Sequence, residues 1–147
     1  MLTVFWFSFR EGWREEPNLP EVINGPAMTG YEPDKTLYII GGKIKARDSN
    51  SVRVLTPETS HGRKHMDRKW EFGPYLPEKI SGAHALFLDH AIYVFGGTSN
   101  KQILRYSPKT DNPATWHKYG QLKSKLQYLG KLKNSNARRL NLENHKF

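Results

Sequence analysis

The hexapeptide Leu-Tyr-Ile-Ile-Gly-Gly at 37–42 returns at 92–97 as Ile-Tyr-Val-Phe-Gly-Gly. A chain with a recurring unit has to solve one packing problem repeatedly, so this recurrence constrains the fold more than any other feature. Further positions recur in the same order. Trp13 opens "WREEPNLPEVING" and Trp70 opens "WEFGPYLPEKISG", and both fit Trp-x3-Pro-x-Leu-Pro-Glu followed by an isoleucine and a glycine at matched places. A weaker copy, "WHKYGQL", begins at Trp116 with glycine in place of the proline. Between each glycine pair and the next tryptophan lies an alternating run ending in a turn, "SVRVLTPET" at 51–59 and "QILRYSPKT" at 102–110. "VFWFSFRE" at 4–11 leads into Trp13 in the same manner.

The unit therefore reads as four strands in roughly fifty residues, a period typical of repeat architectures. Strands a to d are expected at 26–31, 36–42, 51–57 and 69–73, and again at 83–89, 91–97, 102–108 and 115–120. In a four-stranded meander alternate connections lie at the same end of the sheet. The b–c and d–a loops then share one end, and the a–b and c–d loops the other. Glycine accepts positive φ and carries no Cβ, so a strand can turn sharply while a neighbour packs close. Large aromatics on the outer strands bury area between units, and the indole N–H can reach a carbonyl at the edge.

This pattern resembles the kelch repeat, whose units carry a diglycine, a tyrosine and a tryptophan. Gly41, Gly42 and Trp70 mark one unit, and Gly96, Gly97, Tyr106 and Trp116 the next. Trp13 closes a preceding partial unit, and Leu55 departs from the pattern where a tyrosine is expected. The resemblance implies an all-β fold, an incomplete kelch-type β-propeller of four-stranded antiparallel blades. Residues 4–20 would supply the c–d strands of one blade and 23–76 and 80–122 two further blades, within a unit spanning 1–122. Residues 123–147 would form a basic tail or the remnant of another blade. Closed propellers have about four to eight blades, so a fragment, a self-associating chain and an open array remain as alternatives.

In kelch relatives the b–c and d–a loops form the partner-binding face. Here that face would carry Lys43, Lys45, Arg47, Asp48, Asn100 and Lys101, with Glu78 and Lys79 in the d–a linker. Its basic character fits an acidic peptide or protein, since Arg binds carboxylates with a planar fork. The resemblance implies a non-catalytic protein–protein interaction module. Such modules often recruit substrates to cullin ubiquitin ligases, through a BTB domain that these 147 residues do not contain.

Charge supplies the rival reading. Of 23 basic and 14 acidic residues, seven basic and one acidic residue lie in 123–147, which gives that segment +6 of the total +9. A basic terminus fits weak contact with nucleic acid or an anionic membrane surface, and a truncated product without independent function is a third reading. The loop 60–69, with Arg63, Lys64, Arg68 and Lys69, reads as a solvated variable hairpin at the opposite end.

Other chemistry finds little footing. With no cysteine there is no disulfide framework and no thiolate metal site, and a reducing compartment, cytoplasmic or nuclear, is expected. A cysteine-linked tyrosyl cofactor, as in the copper oxidases among kelch-type propellers, cannot form. His61 and His65 have the spacing of helical metal ligands but flank a glycine in a loop, and His84 reads as a packed structural residue. Neither phosphate-binding glycine motif and no nucleophile elbow occurs. No cofactor and no enzymatic activity are expected. The apolar start at 1–9 is too short to span a membrane and lacks the features of a signal peptide.

Overall fold

The computed structural model describes residues 2–9, 12–56, 68–98 and 101–123, and these form an all-β fold. β1 (Leu2–Ser8) and β2 (Gly12–Leu19) make an antiparallel hairpin. β3 (Ala27–Tyr31), β4 (Thr36–Ile40), β7 (Val52–Leu55) and β8 (Glu71–Phe72) form a four-stranded antiparallel meander in that order. A small hairpin, β5 (Lys43–Ile44) with β6 (Arg47–Asp48), is inserted between β4 and β7. β9 (Ala83–Leu88), β10 (Ala91–Gly96), β11 (Gln102–Tyr106) and β12 (His117–Gln121) form a second four-stranded meander.

The molecule stacks as three layers: the N-terminal hairpin, the first sheet and the second sheet. β4 explains why its sequence is apolar without alternation. All five of its residues are buried, because both faces of its sheet are covered. Leu37 and Ile39 join Val4, Leu19, Ile23, Leu55 and Trp70 in a cluster toward the hairpin. Tyr38 and Ile40 face the other way and join Val52, Ile92, Val94, Leu104, Tyr106 and Trp116 between the two sheets. The register carries this alternation across strands, with Leu37 opposite Leu55 and Ile92 opposite Tyr106. Leu55, where the pattern expects a tyrosine, thus occupies the place that Tyr106 fills in the second sheet, and both are buried.

Each layer is tied to the one before it through the residues of the repeat. The Trp70 indole Nε1 donates to the Pro17 carbonyl at 2.6 Å, and the Trp116 indole donates to the Pro74 carbonyl at 2.8 Å. Pro17 and Pro74 are the prolines of Trp-x3-Pro in the respective preceding layers. Charged side chains reinforce the first junction. Glu16, buried at the hairpin, accepts from Arg14 at 3.0 Å and is paired with the buried Arg68, which also donates to the Thr56 carbonyl at 3.2 Å. Arg53 pairs with Glu21, and its guanidinium lies 3.6 Å from the centroid of the Phe72 ring.

Several expectations are refined. The strands are shorter than their expected spans, and Trp70 and Trp116 lie just before β8 and β12 rather than within them. The b–c connection of the first sheet contains a hairpin of its own. Arg68 is not a solvated loop charge, because Glu16 holds it between layers. Trp13 sits inside β2 and is 74% exposed, whereas Trp70 and Trp116 are 9% and 4% exposed. The rest of the 60–69 loop up to residue 67, with His61 and His65, lies outside the described residues, as do Asn100 and the segment 124–147.

Candidate interaction face

One end of the layered structure gathers the connections between the second and third strands of each sheet and the linkers that enter each sheet. The glycine pair makes this possible. Gly41 and Gly42 adopt φ of +65° and +90°, and a Cβ on Gly41 would meet the Ile80 carbonyl oxygen at 2.3 Å. The linker can therefore lie directly against the turn. Gly42 N donates to Ile80 O at 2.7 Å, Ile80 N to Ser49 O at 3.0 Å and Leu76 N to Asn50 O at 2.9 Å. Each glycine pair is also tied to the linker entering its own sheet, Lys43 N donating to Asn24 O at 2.8 Å in the first sheet and, in the second, Thr98 N to Ser81 O at 3.0 Å and Ser81 N to Thr98 Oγ1 at 2.9 Å. Successive linkers are also joined, Gly82 N to Gly25 O at 2.8 Å.

At the opposite end the Ser107 hydroxyl donates to the His90 carbonyl at 3.0 Å, joining the β9–β10 turn to the segment after β11. The two ends thus carry the loop pairs that meander topology assigns to them.

The turn of the small hairpin falls at Lys45 and Ala46, both with positive φ (49° and 63°), the geometry of a tight two-residue reversal. It lifts Lys45 and Arg47 into solvent, where both are exposed. Asp48 turns inward and accepts from the Ser81 hydroxyl at 2.7 Å, fastening the hairpin to the linker. Lys43 Nζ stands 4.0 Å from Asp48 Oδ1, the outer limit of an ion pair, and its side chain is half exposed. An open groove of about 300 Å³ runs between the two sheets here, floored by backbone at Gly25, Gly82 and Gly97 and edged by Asn24, Lys43, Ser81 and Thr98. Its backbone donors and acceptors are largely engaged with one another, so the Lys43 ammonium supplies most of its charge. Such an edge can hold an anionic or carboxylate group beside a small-residue floor.

Among the residues expected to bind a partner, Lys43 and Asp48 meet at this groove with Ser81. Lys45 and Arg47 project beside it. Lys79 is exposed in the linker, and Glu78 is half-buried with one carboxylate oxygen enclosed and unpartnered among the described residues. Lys101, with φ of +65°, follows the corresponding turn of the second sheet, and its carbonyl accepts from Leu122 N at 2.7 Å. Sequence reasoning did not single out Ser81 or Thr98. Their signal was faint, since each is a small polar residue beside a glycine of the repeat. His84 is half-buried with its ring 6.2 Å from that of Phe95. No group of three potential metal ligands occurs among the described residues, and none of their helices is long and apolar enough to cross a membrane.

The architecture defines an all-β chain of stacked four-stranded antiparallel sheets. It is similar to the solved structure of YjhT, with a TM-score of 0.56 and 23% identity over 76% of this chain. The matched region is 32% of that chain, so this protein spans about a third of the length of the structure it matches. No family model and no curated protein matches the sequence.

Proposed function

We propose that the chain is a non-catalytic protein-interaction module of kelch type, a part of a β-propeller that binds acidic peptide segments at the end bearing the β5–β6 hairpin. The observation that carries this reading is the bond from the Ser81 hydroxyl to Asp48. It holds the inward Asp48 carboxylate, and with it the hairpin, against the linker, so Lys43, Lys45 and Arg47 are presented on a fixed scaffold. Loops positioned by a rigid framework are where recognition concentrates. The face fits an extended acidic partner whose carboxylate enters the groove at Lys43. The absence of cysteine suits a cytoplasmic or nuclear setting.

Fluorescence anisotropy with a labelled library of Asp/Glu-rich peptides, and Lys/Arg-rich peptides as control, tests this. Reversing Lys43 and Arg47 to Glu should weaken acidic-peptide binding about tenfold, as expected for charges at an interface rim. Binding that survives both reversals and disappears on deleting 124–147 would replace this reading with the basic-terminus one.

A further inference from the structure

The outer surfaces of the first and last layers carry the two halves of the contact that joins the layers inside. Across the inner junction Tyr38 of the first sheet meets Tyr106 of the second with ring centroids 6.4 Å apart, and Trp116 packs beside Tyr106 at 5.2 Å. The N-terminal hairpin repeats the second half of this contact. Phe7 pairs with Trp13 across the hairpin, their rings lie 5.1 Å apart, and they stand where Tyr106 and Trp116 stand in the second sheet. Yet Phe7 is 45% exposed where Tyr106 is 5%. Phe5 and Phe9 extend the same exposed surface, and β1 pairs only with β2 among the described residues.

The second sheet repeats the first half. Tyr93 is the counterpart of Tyr38 in the hexapeptide, and it points away from the first sheet. It packs against Tyr119 at 5.1 Å, with Leu86 opposite it on β9, and both Leu86 and Tyr119 are exposed. The indole ladder is also open at its N-terminal end. Trp70 and Trp116 each donate to the carbonyl four residues after the tryptophan of the preceding layer. Trp13 has no such acceptor among the described residues, and the position four after Trp116, Gly120, is drawn into β12 opposite Ile103, whereas Pro74 lies beyond the end of β8.

We infer that the chain associates head to tail with a second copy of itself, the Phe7–Trp13 surface of one copy docking on the Tyr93–Tyr119 surface of the next. The occupant is a second copy because both complementary halves are displayed on one chain, and the chain already joins such halves once internally. The interface is heterologous, so each copy uses two different surfaces and association closes into a ring or runs on as an open array. This inference concerns surfaces distinct from the proposed peptide face.

Sedimentation of the full 147-residue chain over a range of concentrations tests it. The wild type should exceed the 17.0 kDa monomer mass in a concentration-dependent manner. Trp13→Glu and Tyr93→Glu, each at an exposed or half-exposed site, should weaken association by about tenfold or more, as for central aromatics of an interface. Far-UV circular dichroism should show the β content of both variants unchanged. Mixing them leaves one intact Trp13 surface and one intact Tyr93 surface, so the mixture should form a one-to-one dimer and nothing larger. A wild-type monomer at every concentration overturns the inference, as does association that survives both substitutions. So does a mixture of the two variants that stays monomeric.

Discussion

A Cβ on Gly97 would lie 2.3 Å from the Ser81 carbonyl oxygen and 2.6 Å from Ala83 N, at a φ of +64°. Both obstacles are backbone, so a side chain cannot be accommodated by a rotamer change. Gly82 also has positive φ (65°), but its virtual Cβ meets nothing nearer than 4.0 Å. Gly97→Ala should therefore lower unfolding stability in urea by at least about 2 kcal/mol, and Gly82→Ala by only about 1 kcal/mol, the cost of the backbone conformation alone. Equal effects would show that the close approach does not matter. The glycine pairs were legible in the sequence as places where a strand must turn. The residue that presses on each was not, since the contact joins segments that are far apart along the chain.

At the scale of elements, the pairing of Glu16 with Arg68 fastens the hairpin to the first sheet. Removing one partner leaves a charge buried without its counterpart, which typically costs about 3–5 kcal/mol, whereas replacing both by apolar groups is often near neutral. Arg68→Met should destabilise the chain by about 2–3 kcal/mol, less than that range because Arg14 still contacts Glu16. Adding Glu16→Leu should recover most of the loss. A double variant no more stable than Arg68→Met, measured by urea unfolding, would contradict the account. β4 was readable because layers on both sides make it continuously apolar, and β10 because it repeats the hexapeptide of β4. The fourth strand of the first sheet was placed at 69–73 by the repeat, but its length was not legible, because only Glu71 and Phe72 pair there and both are exposed. Arg68 misled sequence reasoning for a physical cause: its neighbours are polar and basic, and its partner lies 52 residues away.

For the whole molecule, the junction between the two sheets holds Tyr31, Tyr38 and Tyr106. Burial pushes the phenol of each above its usual value, with Asp34 adding to the effect at Tyr31, Tyr106 and Asp34 at Tyr38, and Asp111 at Tyr106. Each raised phenol contributes stability that is complete below the unfolded value of about 10 and declines as pH rises past it toward the folded value. Above pH about 10, stability should fall steeply. Absorbance titration should find these three of the seven tyrosines ionising only together with unfolding. If all seven titrate while the fold persists, the junction is not closed to phenolate. The proposed peptide face was half legible from sequence. Meander topology located its loops, and residue types gave its charge, but the bond between Asp48 and Ser81 depends on how the small hairpin folds back onto the linker.

Each four-stranded sheet gives an indole hydrogen to a carbonyl of the layer before it. A whole period could be duplicated or deleted in such a gene and leave the indole of each surviving sheet with an acceptor, so repeat number is free to drift. A deletion ending inside a period would strand a donor or an acceptor at the new seam. Inheritance can change this architecture safely only in steps of one layer.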